Sequence, residues 1–219
     1  MAGTKHKTSE KDMLTKPELL LAISKLKTIR DKALASFIYM TDCRISEIVG
    51  CKKVVKNYIK KNKRFILNAD GSRVYEGSET KIILPLRKES IEFMVEKKLF
   101  LVHNVPCLKR INEVPKRNIP VFVPLVPEFY EHFRVYYNTL QPEQPLFSIT
   151  RQRAWQIMNK VGIYNHFLIH ERLTHLVGQE NLSDHDLKIF RGWSSTMPAN
   201  HYVHLRWQDL AKKQGADID

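Results

Sequence analysis

Apolar residues recur at helical spacing in the first part of the chain. Thr15 can cap a helix whose first turn holds Pro17 and Glu18, and a second helix is predicted over 28–39. Residues 1–14 are polar without apolar periodicity and are predicted to form a flexible tail. The apolar positions of the two helices are Leu19, Leu20, Ile23, Leu26, Ala33, Ala35, Phe37 and Ile38.

The pattern changes to strand-like alternation after Cys51. From Cys51 to Leu86, basic, β-branched and aromatic residues alternate around the pair Asp70-Gly71, which predicts a hairpin. RKESIEF is expected to be a helix or a loop. LFLVHNV and NIPVFVPL then form a second predicted strand pair, separated by the basic turn PCLKRINEVPKR.

Helical spacing dominates the remainder of the chain. The sequence contains no internal repeat and no inter-domain linker, so we expect one globular unit in which helices predominate over a small amount of strand. The predicted helices cover 127–140, 150–161, 166–179, 184–190 and a C-terminal stretch after Tyr202.

The charge of the chain indicates a class of partner. Thirty-six Lys and Arg against 23 Asp and Glu give a formal net charge of +13. Such an excess favours a polyanion, of which nucleic acid is the simplest, and binding that weakens with salt. A basic protein that is merely soluble would have the same charge, so charge alone leaves both interpretations open.

Cysteine usage and hydropathy point to the cytoplasm. Cys43, Cys51 and Cys107 are odd in number and show no C-x-x-C spacing, which predicts reduced thiols rather than disulfides or a zinc ribbon. No apolar run is long enough to cross a membrane, and the N-terminus does not have the pattern of a signal peptide.

Three motifs along the chain carry a resemblance to a known family. They are RISEIVG around Arg44, HFLIHERLTHLV from His166, and RGWSSTMPANHYVHL, in which Tyr202 follows Trp193 by nine residues. Together they resemble the tyrosine recombinases, also called phage integrases. The sequences of the last two motifs are most similar to those of archaeal integrases. That family breaks and rejoins DNA through a covalent phosphotyrosine link, without a metal or another cofactor.

The resemblance implies a role for several side chains. Tyr202 would be the nucleophile, Arg44 the first of the arginines that bind the phosphate, and Trp193 a donor to a phosphate oxygen. Glu47, one turn after Arg44, could hold that guanidinium from behind. Guanidinium groups match two phosphate oxygens and stay charged, so arginines can replace a metal ion in such chemistry.

The family also uses a lysine at the turn between two antiparallel strands, as the acid for the leaving 5′ oxygen. Lys109 lies where the first predicted strand ends, and Lys116 lies where the second begins. We favour Lys109 because the family residue follows the first strand, and Lys116 remains the alternative.

The motif HFLIHERLTHLV departs from the family pattern at one position. His166 and His170 match the two histidines, but Ile169 occupies the place of the second arginine. An aliphatic side chain cannot donate to a phosphate, and loss of such a donor commonly costs about 10²–10³ in rate. Arg172, three residues on, could take the role instead if the helix register differs by one turn.

Six histidines of the C-terminal half raise the alternative of a zinc site. His170 and His175 are not spaced at i, i+4, and no H-E-x-x-H motif occurs. The sequence therefore predicts no metal site and no cofactor.

The resemblance implies a mainly helical α+β fold, that of an integrase-type catalytic domain with a small antiparallel β-sheet, over 15–219. Residues 51–83 are predicted to be an insertion whose lysines and aromatic residues contact DNA. No separate core-binding domain is expected, because only about 14 residues precede the first predicted helix.

Three functions follow from these expectations. The first is a site-specific recombinase that acts on double-stranded DNA as a homo-oligomer, a tetramer on DNA. The second is a DNA-binding relative impaired in catalysis by Ile169. The third is a structural or regulatory nucleic-acid-binding domain in which the matching residues serve packing.

Overall fold

The structure is a computed structural model and describes residues 13–61, 64–108, 114 and 116–191. Helices and short antiparallel strands make up this part of the chain, in agreement with the expected mainly helical α+β class. The helices are α1 Lys16–Ser24, α2 Ile29–Thr41, α3 Ile45–Val49, α4 Pro127–Tyr137, α5 Arg151–Asn159, α6 Asn165–Gly178 and α7 Asp184–Arg191. The strands are β1 Cys51–Tyr58, β2 Lys60–Lys61, β3 Arg64–Phe65, β4 Tyr75–Ile83, β5 Ile91–Met94, β6 Leu99–Pro106 and β7 Lys116–Phe122.

The start of α1 has the predicted cap. The Thr15 hydroxyl accepts from the backbone N–H of Glu18, and the Glu18 carboxylate accepts from the backbone N–H of Thr15. This reciprocal capping box satisfies two backbone donors that the first turn would otherwise leave unpaired. Pro17 in the first turn costs no hydrogen bond there, so the local sequence is enough to place this helix end.

Helix α2 is the centre of the core. Its residues from Ala33 to Thr41 are all buried, and it packs against α4 and α6. The Phe37 ring lies 5.0 Å from that of Phe133, and the Tyr39 ring stacks on Phe129 at 4.2 Å between centroids. These aromatic pairs attach α2 to α4.

A three-stranded antiparallel sheet of order β5-β6-β7 packs beside the helices. The pairing of β6 with β7 confirms the second predicted strand pair. The expectation for RKESIEF was wrong in part, because its end belongs to β5, which pairs Ile91 with Val102 of β6. Four residues are too few to show a period, and pairing with β6 decides their conformation.

The segment after α3 forms a separate ribbon. Strand β1 pairs with β4 in antiparallel register from Cys51 opposite Ile83 to Tyr58 opposite Tyr75. Between them the chain doubles back twice, once from β2 to β3 and once around Gly71, rather than in the single hairpin expected. We call residues 51–83 the ribbon.

The ribbon leaves and rejoins the core at one place. Gly50 precedes it with φ +76, and a Cβ on Gly50 would lie 2.5 Å from the carbonyl oxygen of Ile83. Only glycine therefore fits this crossing without displacing backbone. Directly after the ribbon, the Leu86 N–H donates to the carbonyl oxygen of Ile48.

Helix α6 fixes the residues before α1. The backbone N–H of Leu14 donates to Glu171, and the Leu14 carbonyl lies 2.9 Å from Nε2 of His175. Leu14, predicted to belong to the flexible tail, thus contacts the buried side of α6, whereas residues 1–12 lie outside the described part of the chain. Within the described residues no helix is long and apolar enough to cross a membrane.

Candidate active site

Arg44 lies at the first turn of α3, immediately after α2. Its guanidinium is 3.1 Å from Oε1 of Glu47, and its backbone N–H donates to Oε2 of the same carboxylate at 2.9 Å. Glu47 is almost fully buried, whereas the Arg44 side chain keeps 23% of its surface exposed. Glu47 therefore supports the guanidinium from behind, as the sequence predicts, and leaves it able to contact a ligand.

A second arginine reaches Glu47 from the sheet. Arg117, at the start of β7, places Nη2 3.9 Å from Oε2 of Glu47. Its Nη1 donates to the carbonyl oxygen of Phe190 at 3.2 Å, which links the sheet to the end of α7. Glu47 thus lies between two guanidinium groups that come from different elements.

A third arginine ends α7. Nε of Arg191 lies 2.6 Å from Oδ2 of Asp42, and its Nη1 donates to the Asp42 backbone carbonyl. Both side chains are buried. Asp42 itself ends α2 in the left-handed conformation, with φ 57, a region that aspartate and asparagine adopt more readily than most residues.

Arg44, Arg117 and Arg191, with Asp42 and Glu47, form what we call the arginine cluster. Burial raises the pKa of Asp42 to about 6, against the opposing effect of the three guanidinium groups. The arginine cluster thus holds three guanidinium groups against two carboxyl groups. The remaining positive charge makes the site suited to an anion.

The first turn of α6 lies beside Arg44. The Asn165 side chain accepts from the Ile45 N–H at 3.2 Å and donates to the Cys43 carbonyl, so it binds the backbone on both sides of Arg44. His166 follows on the exposed surface, and its ring stacks edge-on against His170 at 4.7 Å. Both predicted histidines therefore lie on the helix whose start contacts the Arg44 turn.

The Ile169 side chain faces the interior of the protein. It is fully buried and packs with Leu173, Leu176 and Val177 of its own helix and with Leu187 of α7. The position that the resemblance gives to the second arginine is thus part of an apolar contact between α6 and α7.

Arg172 is also directed away from the arginine cluster, toward another group. Its Nη1 lies 2.7 Å from Oε1 of Glu180, and its guanidinium lies over the Tyr39 ring, 5.5 Å from the centroid. This placement favours a packing role over the phosphate-binding role that a shift of one turn would give it.

Lys116 and Arg117 are neighbours on β7 and therefore point to opposite faces of the strand. Arg117 points toward Glu47. Lys116 is exposed instead and lines a cavity of about 500 Å³ between β7 and the end of the ribbon. The structure does not bring Lys116 to the other predicted residues. Lys109, the preferred candidate, lies outside the described residues.

Trp193 and Tyr202 also lie outside the described residues. Arg191, the last described residue, precedes Trp193 by two residues and Tyr202 by eleven. The described chain therefore ends at the arginine cluster itself.

Sequence reasoning missed three members of the arginine cluster: Asp42, Arg117 and Arg191. One signal was available for Arg191, since an arginine stands directly before Gly192-Trp193, at the end of a predicted helix. Arg117 was hidden among the basic residues of PCLKRINEVPKR. Only the fold shows that these distant positions meet.

The chemistry of the arginine cluster is that of oxyanion binding by guanidinium groups. Over the described ranges, no three His, Cys, Asp or Glu side chains are grouped so as to hold a metal ion. The residues that do meet are suited to phosphate, because each arginine offers several N–H donors in one plane.

Comparisons with known proteins find the same fold. The solved structure of XerA recombinase matches with a TM-score of 0.55 at 14% identity, over 94% of this chain and 66% of that one. XerH site-specific recombinase matches in two complexes with its difH substrate. The post-cleavage complex gives a TM-score of 0.52 at 14% identity, and the pre-cleavage complex gives 0.50 at 16%.

The two XerH matches cover 93% and 91% of this chain and 52% of each XerH chain. This chain thus spans about half to two thirds of the length of the recombinases it matches. No protein-family model matches the chain, and no curated protein sequence matches it. The chain therefore shares the fold of these recombinases, which confirms the mainly helical α+β fold expected from the sequence.

Proposed function

We propose that this protein is a site-specific DNA recombinase that cleaves and rejoins double-stranded DNA through a 3′-phosphotyrosine intermediate on Tyr202. The arginine cluster is the observation that carries the proposal. It combines an excess of positive charge, a partly exposed guanidinium on Arg44, and a place directly before Trp193 and Tyr202 in the chain. The fold shared with XerA and XerH supports it.

The proposed step needs no metal. The phenol oxygen of Tyr202 forms a bond to the scissile phosphorus, and the bond from phosphorus to the 5′ oxygen breaks. Lys109, with Lys116 as the alternative, protonates the leaving 5′ oxygen, and His166 accepts the phenol proton. Arg44 and Trp193 donate to the non-bridging oxygens, where negative charge develops.

DNA is the proposed partner because of charge and of the ribbon. On the ribbon, cations lie over aromatic rings, with Lys56 Nζ 4.4 Å from the centre of Tyr75 and the Arg73 guanidinium 4.2 Å from that of Phe65. Such pairs hold basic side chains on one surface in an ordered arrangement. The two XerH structures are complexes of a site-specific recombinase with its difH substrate, which supports DNA as the partner of this chain.

The second candidate is a DNA-binding relative with impaired catalysis. Ile169 favours it, since this side chain is fully buried among apolar residues and cannot bind a phosphate. The two candidates differ in one product. Only an active recombinase becomes covalently attached to DNA.

A suicide duplex tests the proposal. It carries a nick near the scissile phosphate, so that the cleaved strand diffuses away and the covalent product accumulates. We expect a protein–DNA adduct that survives SDS with the unaltered protein, and none with Tyr202→Phe, which keeps the ring and loses the attacking oxygen. DNA affinity should be nearly the same for both proteins. Binding without any adduct would favour the impaired relative.

Self-association on DNA is part of the proposal, because strand exchange joins two cleaved duplexes. The segment WQDLAKK after Tyr202 lies outside the described residues, and we propose that it contacts a neighbouring protomer. Removal of the residues after Arg206 should then reduce strand exchange more than it reduces binding to a single site. Equal effects on both activities would contradict this role.

A further inference from the structure

Arg191 has a hydrogen-bonding capacity that its protein neighbours do not use. Its Nε forms an ion pair with Asp42 and its Nη1 donates to the Asp42 carbonyl. The buried Nη2 has no hydrogen-bond partner among the described residues, and neither do the two carboxylate oxygens of Asp42. A buried donor without a partner is costly, and more so when it belongs to a charged group. Its presence therefore needs an explanation.

The surroundings of Arg191 add to that cost. Burial lowers the pKa of Arg191, and the guanidinium groups of Arg44 and Arg117 lower it further, while Asp42 and Glu47 act in the opposite direction. Asp42 and Glu47 compensate two of the three guanidinium groups of the arginine cluster, and one guanidinium is left without a carboxyl group of its own. The arrangement is thus more favourable with a bound anion than without one.

Arg191 also lies one turn from a contact of Ile169, the position where the family resemblance implies an arginine. Ile169 packs against Leu187 of α7, and Arg191 lies one turn beyond Leu187 on the same buried side of that helix. A guanidinium from α7 therefore occupies the neighbourhood that a long basic side chain at 169 would reach from α6.

We propose that Arg191 donates from Nη2 to a non-bridging oxygen of the scissile phosphate and so takes the place of the second phosphate-binding arginine, which Ile169 cannot fill. This inference rests on the proposed recombinase function. It assigns to Arg191 contact with the reacting group and to Asp42 the positioning of that guanidinium.

The competing role for Arg191 is to neutralise Asp42 within the fold. A test must therefore remove the guanidinium without leaving a buried carboxylate unpaired. Asp42→Asn/Arg191→Met does so, because asparagine tolerates the left-handed backbone and methionine fills the space of the arginine stem. Asp42→Asn alone is the matched control.

The experiment measures adduct formation on two suicide duplexes. One has an ordinary scissile phosphate, and the other a methylphosphonate, in which a methyl group replaces a charged non-bridging oxygen. An arginine that neutralises this oxygen has less to contribute on the uncharged substrate. Melting temperature and DNA affinity are measured for each variant, so that rates are compared between folded, DNA-bound proteins.

On the phosphate substrate, Asp42→Asn/Arg191→Met should form adduct about 10²–10³-fold more slowly than Asp42→Asn. On the methylphosphonate substrate, the two variants should differ by less than about tenfold. The same loss on both substrates, or no loss on the phosphate, would overturn the role of Arg191. Absence of adduct with the unaltered protein would instead refute the recombinase function, and this inference with it.

Discussion

Nη1 of Arg172 lies 2.7 Å from Oε1 of Glu180, and both side chains are almost completely buried. The same carboxylate oxygen lies 3.1 Å from Nζ of Lys16, so it joins the end of α6 to the start of α1. Through Glu180, Arg172 therefore contributes to the contact between these two helices.

Arg172→Ala should destabilise the fold. It leaves Glu180 buried with Lys16 as its remaining partner, and breaking such a pair costs about 3 kcal/mol. Urea unfolding measures this loss, and Arg172→Lys, which retains a charge, should lose less. Adduct formation by Arg172→Ala, measured at a temperature where it is folded, should stay within tenfold of the unaltered protein. A large loss of rate in a variant of undiminished stability would identify Arg172 as a phosphate ligand.

Ile169→Arg should reduce stability rather than restore activity. The new guanidinium would enter an apolar cluster formed by Leu173, Leu176, Val177 and Leu187. An uncompensated buried charge costs about 3–5 kcal/mol. Ile169→Met, which is similar in size and uncharged, should cost less than about 1.5 kcal/mol.

The outcome that would contradict this expectation is equally measurable. If Ile169→Arg were as stable as Ile169→Met and formed adduct about 10²-fold faster than the unaltered protein, the second-arginine position would be vacant in this chain. In that case Arg191 would not serve as the second phosphate-binding arginine.

The stability of the protein should depend on pH through Asp42. Burial raises the pKa of this carboxyl to about 6 in the folded state, from 3.8. Between these values the folded protein holds a proton that the unfolded chain has lost, so stability falls as pH rises through this window. Two pKa units correspond to roughly 3 kcal/mol.

Asp42→Asn isolates this effect because asparagine does not titrate and accepts the same backbone conformation. Urea unfolding at pH 4 and pH 7 should show that the unaltered protein loses more stability on going to pH 7 than Asp42→Asn does. Equal pH dependence in the two proteins would mean that Asp42 titrates normally in the fold.

DNA binding should depend on salt, in part through the ribbon. Lys60, Lys61 and Arg64 are exposed near its end. Each phosphate neutralised contributes about −0.9 to the slope of log K against log salt, so replacing all three with glutamine should reduce the slope by up to roughly three. Lys97→Gln is the control, because this exposed lysine precedes β6, at the far end of that strand from the β6–β7 connection. An unchanged slope in the triple variant would exclude the ribbon from the interface.

The helices could be predicted because their signals are local. The cap at Thr15, the apolar set of α2 and the HFLIHERLTHLV motif each lie within one element, and the structure confirms all three helices. β5 could not be predicted, since its four residues become a strand only by pairing with β6. The second reversal of the ribbon was missed because β2 and β3 have two residues each.

The arginine cluster could be predicted only in part. Arg44 and Glu47 are one turn apart, so a single motif indicates both. Arg117 and Arg191 join them through the packing of β7 and α7 against the end of α2, a relationship between segments that no local pattern records. From the sequence, Asp42 is predicted only as a turn residue, because its partner Arg191 comes from a distant segment.

Gly50 and Leu86 give the ribbon a common entrance and exit. Since Cys51 pairs with Ile83, the two ends of this segment lie one strand spacing apart, and the chain rejoins α3 directly after it through the hydrogen bond from Leu86 to Ile48. Changes in the length of the ribbon therefore require no rearrangement of the helices that carry the arginines. The length of this segment and the positions of the arginines are thus structurally independent of each other.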